Sequence, residues 1–410
     1  MIVLSGADLV LPDRIVSPGT LVIDSGRIVE IRPDAAGGRG GDGHVHFAFH
    51  RHYIVPGFID VHVHGVEGVD VLDDGDAVAG IAGRLPRFGV TAFCPTTMAC
   101  PPDRLRRVLE QVRDVRKTPP VHAARVLPAH LESNFINAVY RGAQPASCLR
   151  APRDAFGPEA GPHQDGHAGE PIFSAADILA EIDRGAPDVG IVTIAPELEA
   201  ANELILWLTA RGHRVSMGHS AATFEEAQAA IAVGARHATH LFNRMPPFAH
   251  RAPGLVGAVL QTDDVIAELI CDGYHVHPAV LRTVIAAKRP TGVFAITDGT
   301  AAAGLPLGSR AALGGQPIVR RHRAAFLDDG TIAGSVATMD RVFQLLTGRV
   351  GLALGDAVTV CSTTPARELG LVGHGVLAVD AVADLVVLDQ QFSVVQTYVG
   401  GELVYARQET

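Results

Sequence analysis

The chain has 410 residues, of which 47% are hydrophobic and 19% are charged, a balance that is typical of a folded α/β protein and excludes a disordered one. This length fits one large barrel plus a smaller unit better than a string of independent domains. The formal net charge of -10 gives no electrostatic reason to expect nucleic acid or an anionic membrane as a partner, and it favours a small-molecule enzyme.

Targeting and redox signals point to the cytoplasm. No run approaches the roughly 18 to 20 uninterrupted apolar residues of a membrane span. The opening MIVLSGADLVLPD lacks the basic region of a secretion signal. The five cysteines are scattered without a CxxC pair, so neither a disulfide framework nor a structural zinc site is predicted. We therefore expect a cytoplasmic protein with no membrane partner.

Both chain ends predict β-structure. Short β-segments punctuated by glycine fill the first fifty residues, before and after the turn-rich link GGRGGDG. Near the other end, ADLVVLD and VVQTYVGGELVY give further β-signals. Because neither end has enough strands to close a core alone, we predict that residues 1–55 and 356–410 pair into one β-sandwich domain.

The middle of the chain, residues 56–355, predicts βα units. Apolar β-rich runs alternate there with alanine-rich amphipathic stretches, so we predict a (β/α)8 barrel. Runs such as HRVSMGHS, HATHLFN and GVFAITDG end in polar residues, and the C-terminal ends of barrel strands are where active sites lie. Residues 149–171, rich in Gly, Pro, Asp and His, predict an irregular loop that is either a lid or a tolerated insertion.

The strongest local signal is PGFIDVHVHG, which carries His62 and His64 two positions apart on a predicted strand. Side chains alternate along a strand, so both imidazoles project to the same face, as two nitrogen ligands of one metal must. Single ligand-type residues then follow at later strand ends: Glu132, His219, His240 and Asp298. A barrel gathers its strand ends around one centre, so we predict a catalytic metal site with an open position.

These segments resemble the N-acetylglucosamine-6-phosphate deacetylases of the amidohydrolase superfamily, nearly from end to end. The resemblance is carried by PGFIDVHVHG, GHSAAT, CDGYHVHP, TDGTAAAGLP and GTIAGSVATMDR, and most specifically by THLFN with RAPGLVG. It implies that Glu132, His219 and His240 hold the main metal and that His62 and His64 can hold a second. One or two divalent ions are therefore expected, with zinc first and iron or manganese as alternatives.

The resemblance also implies roles in turnover. Asp298 is expected to act first as the general base toward water and then as the acid toward the leaving amine. Substrate contacts are expected from Asn243, Arg251 and His275, where an arginine fork suits a phosphate, while Ile332, Ala333 and Gly334 match the segment that lines the acyl pocket. In the family, part of this set comes from a neighbouring subunit, so a homodimer with a shared active site is expected.

Departures from the family pattern cluster around the substrate. Gln144, which follows Ala143, stands where a carbonyl-polarising histidine is common, and it can still donate a hydrogen bond but carries no charge. Arg244 follows Asn243 where a small residue is usual, so it brings bulk and positive charge to the sugar or phosphate. The metal centre shows no departure. We therefore include Ala143, Gln144 and Arg244 among the candidate substrate residues.

The leading hypothesis is hydrolysis of the N-acetyl group of an amino-sugar phosphate, with N-acetylglucosamine-6-phosphate as the substrate. One alternative is deacetylation of a different N-acetylated sugar in a biosynthetic pathway. A second is another amidohydrolase reaction, on a cyclic amide or a ring amidine, although THLFN with RAPGLVG argues against it. A third is a catalytically silent barrel, which the intact set of ligand-type residues disfavours.

Overall fold

The structure is a computed structural model, and it describes residues 1–34, 45–156 and 173–408. Five strands open the chain, and the first three form antiparallel neighbours, while β4 and β5 both run parallel to β1. These strands are β1 (Ile2–Val10), β2 (Ile15–Asp24), β3 (Arg27–Pro33), β4 (Val45–Ala48) and β5 (Tyr53–Pro56).

A nearly closed barrel follows. Its eight parallel strands are hydrogen-bonded in the order β6, β9, β11, β12, β13, β14, β15, β16, and a bridge between Val63 and Gly299 joins the two ends. The strands of this part of the chain are β6 (Phe58–Val63), β7 (Gly65–Val66), β8 (Val69–Asp70), β9 (Val90–Thr97), β10 (Arg125–Val126), β11 (Ala129–Leu131), β12 (Val189–Ile194), β13 (Arg214–Met217), β14 (His237–Ala238), β15 (Ile266–Ile270) and β16 (Val293–Ile296). The predicted barrel is confirmed.

Helices alternate with these strands. They are α1 (Ala77–Arg84), α2 (Pro102–Lys117), α3 (Arg153–Phe156), α4 (Ala175–Arg184), α5 (Ala201–Ala210), α6 (Phe224–Ala232), α7 (Gly254–Gln261), α8 (Pro278–Lys288), α9 (Met339–Leu345), α10 (Leu354–Val358) and α11 (Thr364–Glu368). Helix α2 shows why they pack outside the barrel, since it buries Leu105, Val108, Leu109 and Val112, a stripe with helical spacing. Helix α6 begins at a capping box between Thr223 and Glu226. None of the helices within the described residues is long and apolar enough to cross a membrane.

A four-stranded antiparallel sheet, which the sequence reading did not predict, follows the last barrel strand. Its strands are β17 (Arg310–Leu313), β18 (Gln316–Arg320), β19 (Ala324–Leu327) and β20 (Ile332–Ser335). Ser335 bridges Gly299, so the end of β20 lies directly beside the C-terminal end of the barrel. This sheet therefore reaches the region where the polar strand ends meet.

The two chain ends share one sheet. Strands β21 (Leu385–Leu388), β22 (Val394–Val399) and β23 (Glu402–Ala406) continue it, because β21 pairs antiparallel with β5. Hydrogen bonds join all eight terminal strands in a single sheet around a core of its own, which includes Leu21, Ile54 and Tyr398. The prediction that both ends combine is confirmed.

The predicted boundary at residue 356 lies inside helix α10, and the C-terminal strands begin only at Leu385. Between them, Cys361 packs in the main barrel core, and Ala366 packs with barrel residues Ile59 and Val61. The division into residues 56–355 and the two chain ends stays a prediction. Of the predicted loop at 149–171, residues 157–171 lie outside the described residues.

Candidate active site

All six side chains predicted as metal ligands or proton-transfer groups stand at C-terminal ends of barrel strands. Two of them belong to β6, where His62 lies within the strand and His64 follows it, and Glu132 follows β11 directly. The others stand two residues beyond their strands: His219 after β13, His240 after β14 and Asp298 after β16. The strand order brings these ends together, so the sequence prediction about their convergence matches the positions in the structure.

Three of these residues have left-handed backbone conformations, with φ of 48° at His219, 31° at His240 and 49° at Asp298. For residues other than glycine this conformation costs about 1–2 kcal/mol each. It persists because the neighbouring backbone is fixed, as where Ser335 donates its N–H to the Asp298 carbonyl at 2.8 Å. Such outliers are characteristic of functional sites.

The glycine that ends PGFIDVHVHG allows a close approach of two chain segments. A Cβ at position 65 would lie 2.2 Å from Val69 O and 2.8 Å from Ala301 N. Both backbone N–H groups of His64 and Gly65 donate to the Gly299 carbonyl, at 2.8 and 2.9 Å. The glycine therefore lets the histidine pair meet the Asp298 segment.

Glu132 forms the centre of a first cluster of ligand-type atoms. Its Oε1 lies 2.7 Å from His219 Nε2 and 2.8 Å from His240 Nε2, and these two nitrogens are 3.0 Å apart. All three side chains are buried. One carboxylate oxygen and two imidazole nitrogens in this arrangement form a ligand set that suits a divalent metal ion.

The β6 histidines form a second cluster with Glu132. His64 Nε2 lies 3.4 Å from Glu132 Oε2 and 3.3 Å from Asp298 Oδ1. His62 Nε2 lies 3.2 Å from His64 Nε2 and 3.5 Å from Asp298 Oδ1. His62, His64 and Glu132 thus make a second group with metal-ligand spacing, and the two groups share Glu132.

Fixed oxygen atoms orient three of the four rings. His62 Nδ1 lies 3.1 Å from Glu268 Oε2, His64 Nδ1 lies 3.1 Å from Thr96 O, and His219 Nδ1 lies 2.8 Å from Tyr140 O. An Nδ1–H that donates to such an oxygen leaves Nε2 with its lone pair toward the cluster, which is the tautomer a metal ligand requires.

The carboxylates of the cluster favour a positive charge close to them, as the pKa values of His64 and Asp298 indicate. Burial on its own lowers the pKa of His64, but hydrogen bonds to Asp298 and Glu132 reverse this and raise its pKa to about 10. Burial likewise works to raise the pKa of Asp298, but the hydrogen bond from His64 and the charges of nearby rings bring it below its ordinary value. Lone pairs of carboxylates and imidazoles that face one another at this range fit a bound cation, so the residues present suit the divalent ion.

The sequence reading missed three buried polar residues behind this cluster. His130 places Nδ1 3.1 Å from Val61 O, Glu268 contacts His62, and Asp60 accepts a hydrogen bond from Thr297 Oγ1 at 2.6 Å. Burial lowers the pKa of His130 to about 4 and raises the pKa values of Asp60 and Glu268 to about 7. The available signal was a polar residue inside an otherwise apolar barrel strand.

A cavity of about 460 Å³ opens above the metal-facing atoms, and it is large enough for a sugar phosphate. Most of the candidate substrate residues line it: Ala143, Gln144, Asn243, Arg244, His275, Ile332 and Gly334. Two candidates do not. Ala333 is fully buried beside the lining residues, and Arg251 is exposed outside the cavity of this chain. Sequence reasoning also missed apolar lining residues, among them Met98, Phe242 and Leu313.

The polar lining residues are held in different ways. Gln144 donates through Nε2 to Glu132 Oε2 and accepts from Ala99 N–H at 2.7 Å. His275 has Nδ1 2.7 Å from Asp272 Oδ2, while its buried Nε2 has no hydrogen-bond partner among the residues described. Arg244 is exposed and makes one long contact, from Nη2 to Ile332 O at 3.5 Å. Gln144 is therefore fixed by the metal-facing layer, whereas Arg244 has free donors.

The barrel and its ring of histidines and carboxylates define a class, the amidohydrolases. A profile of the Amidohydrolase family matches residues 53–404. N-acetylglucosamine-6-phosphate deacetylase of Rattus norvegicus is 38% identical over 409 residues, which cover 97% of this chain and 90% of the relative.

Solved structures agree with these relatives. N-acetylglucosamine-6-phosphate deacetylase from Thermotoga maritima is 30% identical with a TM-score of 0.82, over 99% of this chain and 100% of that one. A mutant of the Mycobacterium smegmatis enzyme in complex with N-acetyl-D-glucosamine-6-phosphate is 31% identical with a TM-score of 0.84, over 98% and 99% of the two chains. The chain belongs to the amidohydrolase family, in its branch of N-acetylglucosamine-6-phosphate deacetylases.

Proposed function

We propose that this enzyme hydrolyses the N-acetyl group of N-acetylglucosamine-6-phosphate to give glucosamine-6-phosphate and acetate. The observation that carries the proposal is the lining of one cavity. It combines two metal-ligand groups, the carboxylate of Asp298 and the guanidinium of Arg244, which has free donors. Amide hydrolysis needs the metal-ligand groups and the carboxylate, and phosphate recognition needs the guanidinium. The full-length relatives of the same activity support it.

Metal binding is proposed at two places. Glu132, His219 and His240 would hold the main ion, and His62 and His64 would join Glu132 to hold a second. Zinc is the proposed metal, with iron or manganese as alternatives that the same nitrogen and oxygen ligands accept. When bound, such an ion lowers the pKa of water and polarises the amide carbonyl.

Asp298 is proposed as the proton carrier. Its buried carboxylate lines the cavity with Oδ1 3.3 Å from His64 Nε2 and 3.5 Å from His62 Nε2, and its lowered pKa keeps it ionised and able to accept a proton. It would take a proton from the attacking water and deliver it to the nitrogen of the breaking amide bond. The water oxygen bonds to the acetyl carbon as the carbon–nitrogen bond breaks, and the products are a free amine and acetate.

The acetyl group is proposed to lie between Gln144 and the end of the antiparallel sheet. One Nε2 hydrogen of Gln144 is used by Glu132, and the second can donate to the amide carbonyl. Ala143, Ile332 and Gly334 line the same cavity, and the buried Ala333 lies between the last two in the chain. These small and apolar side chains suit a methyl group.

Phosphate recognition is proposed for Arg244 and His275, with Asn243 toward the sugar. Arg244 is the one arginine or lysine among the described residues that line the cavity. Arg251 is exposed outside the cavity of its own chain, and we propose that it serves the neighbouring active site of a homodimer. The permanent charge and bidentate fork of an arginine suit a phosphate dianion.

The cellular compartment is proposed from the cysteines. Since the scattered cysteines favour a reducing compartment, we place the enzyme in the cytoplasm.

The test is acetate release by purified, metal-analysed enzyme that is offered N-acetylglucosamine-6-phosphate, its galactosamine epimer and both unphosphorylated sugars. We expect efficient turnover of the first, and weak turnover of the unphosphorylated forms because Arg244 loses its partner. Preferred turnover of the epimer would move the assignment to the alternative sugar. No turnover of any of the four sugars, with metal bound, would contradict the proposal.

A further inference from the structure

One buried carboxylate of the barrel takes no part in the proposed reaction. Glu268 lies on β15 in the run IAELI, and its side chain is fully buried. Its Oε2 contacts His62 Nδ1 at 3.1 Å, whereas its Oε1 has no hydrogen-bond partner within the described parts of the chain. Burying a carboxylate with a single partner is costly unless positive charge lies close by.

Glu268 does not form an ion site of its own with His62 and His130, although the three stand close together. Both ring nitrogens of His130 face other oxygens, Val61 O at 3.1 Å and Thr193 Oγ1 at 2.9 Å. The His130 ring instead packs edge-to-face on His62, with ring centroids 4.6 Å apart. His130 therefore packs against the His62 ring, and Glu268 acts on that ring through a hydrogen bond.

The contact distinguishes His62 from the other metal-facing rings. His64 and His219 are oriented by neutral backbone carbonyls, of Thr96 and Tyr140. Of the four metal-facing rings, only that of His62 has a carboxylate at its Nδ1, and His240 Nδ1 has no hydrogen-bond partner among the described residues. A carboxylate partner fixes the tautomer as a carbonyl does, and it also makes the ring a stronger ligand. The Nδ1 hydrogen bond of Glu268 therefore acts directly on a ligand of the group of His62, His64 and Glu132, whereas Glu268 reaches the group of Glu132, His219 and His240 only through the longer-range effect of its charge on His240.

We propose that Glu268 is a positioning residue that determines whether the second ion, at His62, His64 and Glu132, is held. This inference rests on the proposed function, since it presumes the metal cluster. Glu268 accepts the Nδ1–H of His62 and directs the Nε2 lone pair toward the ion, and carboxylate and cation stabilise each other across the ring. Partners of this kind change metal affinity by about 10- to 100-fold.

The test is a Zn²⁺ titration of the metal-free full chain, with both stepwise dissociation constants measured by competition with a chromogenic chelator. In Glu268→Gln, which removes the charge, the second Zn²⁺ should bind about 10-fold more weakly, and in Glu268→Met, which also removes the acceptor, up to about 100-fold. The first Zn²⁺ should be weakened less than the second, because Glu268 makes no hydrogen bond to the rings of His219 and His240. Asp60→Asn is the matched control, because Asp60 is equally buried and contacts the His62 backbone N–H at 3.3 Å but no metal-facing ring.

The outcomes separate this inference from the proposed function. If the wild type and both Glu268 variants bind the second Zn²⁺ with the same dissociation constant, the inference is overturned and the proposed function is not. A second ion lost equally in Asp60→Asn, or a wild type that takes up a single ion, also overturns it while leaving a one-metal hydrolase intact. No Zn²⁺ uptake by the wild type overturns the proposed metal site itself.

The protonation of the His62 ring can be measured in the wild type, so this test does not depend on whether the Glu268 variants fold. In Zn²⁺-loaded protein labelled with ¹⁵N-histidine, His62 should show a protonated Nδ1 and a metal-bound Nε2. A proton on Nε2 overturns the inference.

Discussion

The floor and the mouth of the cavity are built differently. The floor is buried and carried by strand ends, and it consists of His62, His64, Glu132, His219, His240 and Asp298. The mouth lies on loops and the edge of the antiparallel sheet, and it includes Gly142, Arg244 and Ile332. Oxygen partners orient three of the four floor rings, whereas the Arg244 guanidinium has one long contact.

This difference separates two tasks. A rigid floor holds ligands and the proton carrier in place before substrate arrives, which is what catalysis requires. A loosely held mouth can change its recognition without disturbing that geometry. Variants of the floor should therefore lower turnover whatever the substrate, and variants of the mouth should change which substrate is preferred.

Loss of the shared ligand should have the largest effect. In Glu132→Gln both ligand groups lose their common carboxylate, so we expect metal content near zero and turnover reduced by about 10⁴-fold or more. The check is elemental analysis together with acetate release. Glu197→Gln is the control, because Glu197 accepts from Ser220 Oγ at 2.7 Å and contacts no ring of the floor. Full activity in Glu132→Gln would contradict the proposal that the floor residues bind the catalytic metal.

Removal of the proton carrier should affect turnover without affecting the metal. Asp298→Asn keeps the shape of the side chain but cannot accept the proton, and we expect kcat to fall by roughly 10²- to 10⁴-fold. KM and metal content should change little, because Asp298 belongs to neither of the two ligand groups. Steady-state kinetics with metal analysis checks this. Unchanged kcat would refute Asp298 as the base.

The floor could largely be predicted from the sequence, because its signals are local. Two histidines that are two positions apart on a strand must share a face, and the end of each barrel strand must meet the others, so His62, His64 and Asp298 could be placed from the sequence alone. The family resemblance then assigned their roles. The contact between Glu268 and His62 could not be found this way, because which side chain of another strand meets His62 depends on the strand order across the barrel.

The mouth could be predicted only in part. The antiparallel sheet that carries Ile332 was missed, although Gly314 and Gly315, with φ of 59° and 89°, form the two-residue turn typical of a hairpin. That signal was readable. The position of Arg251 outside its own cavity was not readable, since it depends on the path of a loop and on any neighbouring subunit.

Loss of the arginine at the mouth should have an intermediate effect that depends on the substrate. In Arg244→Gln the phosphate loses charge-assisted hydrogen bonds worth about 1.5–3 kcal/mol, so KM for the phosphorylated sugar should rise about 10- to 100-fold. Turnover of the unphosphorylated sugar should be unchanged. Arg141→Gln is the control, because Arg141 is exposed and does not line the cavity. Equal effects on both sugars would deny a specific role in phosphate binding.

The smallest effect should come from displacing that arginine without removing it. A Cβ at Gly142 would lie 2.6 Å from Arg244 Nε, at a φ of 62°, so Gly142→Ala should move the guanidinium and raise KM for the phosphorylated sugar about 2- to 5-fold, less than its removal. Gly75→Ala is the matched control, since its φ is 84° but a Cβ there meets nothing within 4 Å. Both should lose about 1–2 kcal/mol of stability from the left-handed conformation. If the two variants change KM equally, the effect is one of backbone strain, and the position of Arg244 does not set recognition at the mouth.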